Sequence, residues 1–332
     1  MLKAKILHEL RNASDYVSGQ SLCKKFDVSR TAIWKCINQL KEEGYEVVAV
    51  NNKGYCITAY PDLITDSEIE SLLIDQQGIV SKLVYFEETD STNNEAKRHA
   101  EDGQDKVPDG TLFITECQTG GRGRRGRSWE SPAGSGIWMS LLLRPEVSPQ
   151  NASMLTLVAA LAVAKAVESV TGEKNCRIKW PNDIVLNKKK ICGILTEMSA
   201  ETDFIHYVVI GIGINVNTTE FDEAIKDTAS SLYVETKAHV KRSEIVAAFS
   251  KEFKKYYDIF LETENLSGVV KDYNDMLINA GRQVKIISGS EEYTGTATGI
   301  NENGELLVTK EDGTEVAICA GEVSVRGLYG YV

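Results

Sequence analysis

One stretch of the chain concentrates reactive side chains: Gln118-Thr119-Gly120-Gly121-Arg122-Gly123-Arg124-Arg125-Gly126-Arg127-Ser128-Trp129. Its four arginines stand out in a chain of 332 residues with a net charge of −11. Like charges held this close repel one another and should keep the segment mobile until an anion arrives. Guanidinium forks match phosphate and carboxylate with two parallel hydrogen bonds. The intervening glycines let backbone approach a ligand, and Trp129 offers a flat face for a base or ring. Gly121, Gly123 and Gly126 satisfy G-x-G-x-x-G, but Ser131-Pro132-Ala133-Gly134 follows. That sequence cannot form the apolar helix a dinucleotide fingerprint leads into, and no G-K-[ST] marks a P-loop. A site for a polyanionic small molecule fits better than a solvated basic loop or an RNA contact.

Three other clusters carry chemistry. Asp90-Ser91-Thr92-Asn93-Asn94-Glu95 lies between an apolar strand over 84–86 and a helix over 94–100. Thr92 and Glu95 have capping-box spacing. The same junction presents free N–H groups and hydroxyls to a small polar ligand, and the pattern supports both readings equally. Arg177-Ile178-Lys179-Trp180-Pro181-Asn182-Asp183 precedes a strand over 184–186, and a turn at Asn187-Lys188-Lys189 leads into a second strand over 190–197. Lysines at a turn are solvated tips. Lys190 instead opens a strand, where its side chain can be aimed inward. Tyr207 to Asn217 reads as a buried strand with Gly211 and Gly213 at alternate positions. One face there lacks side chains, for close approach of a ligand or for a bulge or tight packing.

These clusters need elements to position them. Helices are expected over 3–10, 20–26 and 29–43, the last capped by Ser29 and stopped by Gly44. A hairpin over 45–57 turns at Asn51-Asn52-Lys53-Gly54. This is the layout of a winged helix-turn-helix. The second helix of its pair presents Ser29, Arg30, Thr31, Trp34 and Lys35, types that reach phosphates and base edges, and Lys53 stands at the wing tip. Residues 1–43 carry eight basic against five acidic residues, unlike the acidic remainder. DNA binding fits this better than a basic face for protein contact. Pro61 marks a boundary, and a short helix starts at 66–68. Core helices are expected over 151–170 and 242–261. From Gly281 the texture changes to short strands, with turns at Ser288-Gly289, Asn303-Gly304 and Asp312-Gly313. Seven cysteines without a C-x-x-C pair, and four histidines, exclude a zinc pattern and imply free, mostly buried thiols in a reducing compartment. With no apolar signal segment, and Lys165 and Glu168 interrupting the most apolar stretch, a cytoplasmic protein is expected.

In combination, Asp90-Ser91-Thr92-Asn93, the arginine–glycine loop, Lys179-Trp180-Pro181-Asn182-Asp183 with Lys190 and Gly193, and the Asn215 strand resemble the biotin–protein ligase family. The resemblance covers essentially the whole chain. The N-terminal module makes it similar to the bifunctional members, which also repress biotin operon transcription. An α+β multidomain fold is implied: a winged helix-turn-helix at 1–62, a central α/β ligase domain with a mixed sheet at 66–275, and a small SH3-like β-barrel at 281–332. Biotin and ATP are the implied substrates, with Mg²⁺. Implied partners are the biotin carboxyl carrier domain of acetyl-CoA carboxylase or other biotin-dependent carboxylases, operator DNA, and a second copy of the chain when biotinyl-5′-AMP is bound.

The family's roles carry over as follows. Lys190, Arg124 and Arg122 are the implied catalytic residues. Ser91, Thr92, Asn93, Gln118, Arg122, Gly123, Arg124, Lys190 and Gly193 would hold biotin. Arg125, Arg127, Trp129, Asn182, Asp183 and Asn215 would hold the nucleotide, with Asn215 reading adenine and Asp183 orienting the pocket or the carrier lysine. Competing readings are a non-catalytic biotin-sensing repressor, a lipoate or octanoate ligase of the related fold, and a ligase whose N-terminal module has lost DNA binding. Lys190 and the full arginine loop weigh against the first, and the loop against the second. Operator binding separates the third.

Overall fold

The structure is a computed structural model that describes residues 1–102, 107–288, 291–320, 323–327 and 331–332. Packing divides the chain into two compact units, Met1–Gln77 with Lys241–Ala247, and Gly78–Val240 with Ala248–Val332.

The first unit begins with α1 (Leu2–Asn12), α2 (Gly19–Phe26) and α3 (Arg30–Glu42), then the hairpin β1 (Glu46–Val50) and β2 (Gly54–Ala59). Ser29 caps α3 as its sequence position predicts, its hydroxyl accepting the Ala32 amide hydrogen. Asp27 takes a left-handed conformation (φ +52°) between α2 and α3. The helical stripe Ile33, Cys36, Ile37 and Leu40 closes on Ile6, Leu7, Leu10 and Leu22 to form the core. This is the expected winged helix-turn-helix. α4 (Asp66–Leu73) packs on α1. Its Glu68 is buried and takes both oxygens to Arg11 at 2.7 Å. The same carboxylate accepts from the Tyr45 hydroxyl at 2.5 Å and the Ser243 hydroxyl at 3.0 Å. Residues 66–73 thus pack with the N-terminal helices, whereas the sequence reading opens the central domain at 66.

The second unit is built on a seven-stranded sheet. Its elements are β3 (Lys82–Thr89), α5 (Thr92–Glu101), β4 (Thr111–Gln118), β5 (Gly136–Leu143), α6 (Leu155–Thr171), β6 (Arg177–Lys179), β7 (Asp183–Leu186), β8 (Lys189–Ala200), β9 (Ile205–Asn215), α7 (Leu232–Thr236), α8 (Arg242–Thr263) and α9 (Val270–Met276). The first turns of α8 group with the first unit. Strand order is β3-β4-β5-β9-β8-β7-β6. β3 and β4 run parallel and the other neighbours antiparallel, which makes the sheet mixed. β5, buried at every position, is absent from the sequence reading. By length and hydropathy, 149–171 suffices to cross a membrane, but 67% of its most apolar 18-residue window is buried within the protein. It packs against β6–β9 as the core helix expected from its apolar density.

The capping box does not form. Ser91 is the N-cap of α5 and makes no side-chain cap bond. Glu95 instead accepts from the Thr89 hydroxyl at 2.7 Å and pairs with Arg98. Thr92 is therefore left for other partners.

The chain closes with β10 (Gln283–Ser288), β11 (Glu291–Ile300), β12 (Leu306–Lys310), β13 (Glu315–Ile318) and β14 (Val323–Gly327), an antiparallel sheet in the order β13-β12-β11-β10-β14. Gly304 and Gly313 have positive φ, as the turns at Asn303-Gly304 and Asp312-Gly313 require. Gly289, of the turn expected at Ser288-Gly289, lies outside the described residues. The small sheet is joined to the large one within a single unit: the Trp180 indole N–H donates to the Gly304 carbonyl at 3.0 Å, and the Ile300 amide to Asn274 Oδ1 at 2.8 Å. All seven cysteines are free. Against the expectation of mostly buried thiols, Cys36, Cys176 and Cys192 are buried, three are half-buried and Cys319 is exposed. Burial pushes the Cys176 thiol up to about 12.

Candidate active site

A cleft opens on the large sheet. It brings together Ser91, Thr92, Asn93, Gln118, Arg122, Gly123, Arg124, Trp129, Asn182, Lys190 and Gly193 of the residues singled out from sequence. Its walls add Met139 and Ile212 of β5 and β9, Ile194 and Leu195 of β8, and the glycines Gly211 and Gly213. Arg125, Arg127, Asp183 and Asn215 do not line it. The apolar wall was missed in the sequence because strand residues such as Met139 and Leu195 look identical to core.

The glycines leave room for the protein's own side chains. Gly193 pairs with Gly213 across β8 and β9. A Cβ at either would fall 2.8 Å or 2.6 Å from the Trp129 indole, so the ring lies on a floor that only glycine provides. A Cβ at Gly211 would fall 2.1 Å from Asn93 Oδ1. Of the two readings of this glycine pair, tight packing is the one displayed. The Trp129 N–H is buried with no acceptor among the described residues.

The arginine loop is a closed hairpin rather than an unstructured segment. Arg122 and Ser128 form a β-bridge. The Gly123 amide donates to the Arg127 carbonyl at 2.7 Å, and the Trp129 amide to the Gly121 carbonyl at 2.9 Å. Arg125 sits at φ +57°, a strained region for a residue with a Cβ. Arg124 points into the cleft, where it donates to Asn182 Oδ1 at 3.0 Å and to the Ala320 carbonyl at 2.6 Å. Burial and the neighbouring Arg125 charge draw its pKa down. Arg122, Arg125 and Arg127 are exposed.

Lys190 faces the cleft because of a β-bulge. Val185 pairs with Lys190 while Ile184 pairs with Cys192, so Ile191 is skipped. The skip changes parity and places Lys190 on the face of Gly193 and Leu195, while Ile191 and Cys192 are both buried. Its backbone is fixed from both sides, donating to the Thr228 carbonyl at 2.7 Å and accepting from the Ser230 amide at 2.8 Å. The ammonium pairs with Asp183 Oδ1 at 2.6 Å and lies 5.2 Å from the Trp129 ring centroid. Asp183 Oδ2 accepts from the Tyr331 hydroxyl, and the Lys179 ammonium sits 3.5 Å from that ring's centroid. Burial and the Asp183 charge push the Tyr331 phenol upward. Tyr331 had no signal in the sequence. Asn215, at the end of β9, donates from its side-chain amide to the Ser230 carbonyl at 3.1 Å.

Polar groups converge at the start of α5. The Thr92 amide donates to Gln118 Oε1 at 2.9 Å, and Gln118 Nε2 donates to the Ser131 hydroxyl at 2.8 Å. The Ser140 hydroxyl lies 2.7 Å from Thr92 Oγ1 and 2.6 Å from Asn93 Oδ1. The cleft therefore combines matched donors and acceptors, an apolar wall, and three cations, Lys190, Arg122 and Arg124. Such a surface suits an organic acid with a polar head, and the cations can bring its carboxylate to a phosphate.

In the first unit, Arg30, Thr31, Trp34 and Lys35 lie on the exposed face of α3, with Trp34 57% exposed. Arg30 donates to Gln20 Oε1 at 2.7 Å. The Lys53 ammonium is 5.7 Å from the Tyr16 ring centroid. The Ser29 hydroxyl is occupied by its cap and so differs from the others.

Comparison with known proteins agrees with this geometry. The profile of the "Biotin/lipoate A/B protein ligase family" matches residues 85–215, an "HTH domain" residues 3–56, and the "Biotin protein ligase C terminal domain" residues 280–326. The bifunctional ligase/repressor BirA of Bacillus spizizenii is 38% identical over 303 residues, 90% of this chain and 91% of that protein. The BirA of Escherichia coli is 31% identical over 312 residues, 94% of each. Biotin protein ligase from Aquifex aeolicus, solved in complex with biotin and ATP, superposes with a TM-score of 0.64 at 34% identity, over 74% of this chain and 99% of that one. The chain belongs to the biotin–protein ligase family, among its bifunctional ligase/repressor members.

Proposed function

We infer that this chain activates biotin with ATP and transfers it to a lysine of a carboxylase carrier domain in the cytoplasm, and that it represses transcription when biotin is plentiful. The observation that carries the enzymatic reading is the convergence of Lys190, Arg122 and Arg124 with the Ser91–Asn93 and Gln118 cluster in one cleft.

In the first step a carboxylate oxygen of biotin attacks the α-phosphorus of ATP, and the bond to pyrophosphate breaks. Both reactants are anions, so the barrier falls when fixed cations offset their repulsion. Lys190, braced by Asp183 and by its backbone bonds, supplies one such charge. Arg124, held between Asn182 and the Ala320 carbonyl, supplies another, and Arg122 a third. Ser91, Thr92, Asn93, Gln118, Gly123 and Gly193 hold biotin beside them. Trp129 and Asn182 take the nucleotide side, with Arg125 and Arg127 drawn to its phosphates. In the second step the carrier lysine amine attacks the acyl carbon and AMP leaves with the bonding electrons. Asp183, adjacent to Lys190, orients that amine. A hairpin closed over the mixed anhydride keeps water away. Mg²⁺ would screen the phosphates. Among the described residues no three His, Cys, Asp or Glu converge to hold a metal, so no step is assigned to it.

The test is mass spectrometry of a purified carrier domain incubated with this protein, biotin and ATP. A gain of one biotinyl group is expected, and an unchanged mass would reject the ligase reading. We further propose that the adenylate-bound chain forms a homodimer whose paired winged helices meet a palindromic operator. Light scattering with and without biotin and ATP tests this. A mass unchanged on adding both would reject it.

A further inference from the structure

The two oxygens of Asp183 keep different company. Oδ1 lies 2.6 Å from the Lys190 ammonium in an ion pair without hydrogen-bond alignment, and it is buried with no hydrogen-bond donor among the described residues. Oδ2 accepts from the Tyr331 hydroxyl. The neighbouring strands give this carboxylate no other support. Across β7 and β8 Asp183 pairs with Gly193, which has no side chain, and across β6 and β7 with Lys179. The Lys190 ammonium fills the space over Gly193, where a Cβ would fall 3.2 Å from Nζ. The Lys179 ammonium instead faces the Tyr331 ring, 3.5 Å from its centroid. Tyr331 is therefore seated by its ring on one member of this cross-strand row and by its hydroxyl on the next.

An ammonium is a compact charge with three interchangeable donors, and it imposes little direction on a carboxylate. A phenol has a single O–H, and aiming it at one oxygen sets the carboxylate's plane. Burial and the Asp183 charge push the Tyr331 phenol upward, so it keeps its hydrogen at neutral pH. With Oδ2 capped, Oδ1 is turned toward Lys190, which lines the cleft. A buried acceptor without a donor is costly, and an arriving N–H would satisfy it.

We propose that Tyr331 is a positioning residue for the second step: by capping Asp183 Oδ2 it presents Oδ1 to the amine of the carrier lysine. The proposal rests on the ligase reading and adds to it a residue that acts through Asp183. The neutral amine nitrogen forms its bond to the acyl carbon, the bond from that carbon to the phosphate oxygen breaks, and AMP leaves with the electrons. The one proton that the nitrogen sheds is taken at Oδ1 and passed to solvent.

Tyr331→Phe keeps the ring against Lys179 and removes only the hydroxyl. Lys190 is held by its own main-chain bonds to Thr228 and Ser230, so pyrophosphate release in the first step should stay within about twofold of the parent. Transfer from a preformed biotinyl-5′-AMP complex to a purified carrier domain, followed over a single turnover by mass spectrometry, should slow by about 10- to 100-fold. The carrier concentration at half-saturation should not change. Hydroxylamine supplied in place of the carrier is small enough to need no orienting carboxylate, and biotinyl hydroxamate should form at the parent rate. On an Asp183→Ala background, Tyr331→Phe should cause no further loss, because the group it acts through is gone. A merely structural role would slow all of these reactions together. Parent-like transfer to the carrier, a matching fall in pyrophosphate release or hydroxamate formation, or a full further loss on the Asp183→Ala background would overturn the proposal. Failure of the unaltered chain to form the adenylate would instead remove the ligase reading beneath it.

Discussion

Lys190 and Arg124 bear on different stages of one reaction, and their surroundings say which. Lys190 is half-buried, fixed by its main chain and paired with a single carboxylate. Lys190→Ala removes a charge from the point where two anions must meet, and pyrophosphate release should fall by about three orders of magnitude or more. Turnover near the parent rate would take Lys190 out of the mechanism. Arg124 instead ties the hairpin down, with one hydrogen bond to Asn182 and one to the Ala320 carbonyl, just past β13. Arg124→Gly loses both, so biotinyl-5′-AMP should leave about a hundredfold faster in a filter-binding chase, each charged bond contributing about 1.5 kcal/mol. Release at the parent rate would mean the arginine holds nothing closed. Most of these side chains were legible in the sequence because their types are unusual in company: four arginines among glycines, a lysine opening an apolar strand. Tyr331 and Ser140 were not, since one tyrosine in a tail and one serine in an apolar strand carry no pattern until the chain folds.

At the level of elements, periodicity placed α1, α2 and α3 of the first unit to within a few residues. It failed in three informative places. β5 is an unbroken apolar run, and a strand buried on both faces has no alternation to read. The bulge at Ile191 breaks alternation where it exists, so the face of Lys190 is a matter of pairing, not counting. The Thr92–Glu95 capping box was overridden because the Thr89 hydroxyl and Arg98 offered Glu95 better partners. α4 adds a stability prediction of its own. Glu68 neutralises Arg11 inside the first unit and accepts from two hydroxyls. Glu68→Ala strands a cation and two donors, so urea unfolding should show that unit destabilised by about 3–5 kcal/mol. A shift under about 1 kcal/mol would show that water replaces the carboxylate at little loss.

For the molecule as a whole, an acidic chain that binds DNA must confine its positive charge, and α3 is where it does so. Trp34 is the most exposed aromatic on that helix, and its large apolar ring has no structural duty there. Trp34→Ala should lower operator affinity by about tenfold in an electrophoretic shift assay while leaving carrier biotinylation untouched. Parallel loss of both activities would show that the residue supports the fold. The helical start with its hairpin and the closely spaced turns at the end were readable from texture, and the three-module fold class followed from the family resemblance. The packing of α4 with the N-terminal helices was not, because a short helix carries no mark of which core receives it.

The four tryptophans differ in how their indole nitrogens are satisfied. Those of Trp138 and Trp180 donate to the Pro132 and Gly304 carbonyls, and Trp34 stands in solvent. Trp129, on its glycine floor beside the Lys190 ammonium, keeps a buried N–H that no described residue matches. Its emission is therefore tuned by the contents of the cleft, and the chain carries a built-in fluorescent gauge of occupancy that needs no label, with Trp129→Phe as its blank.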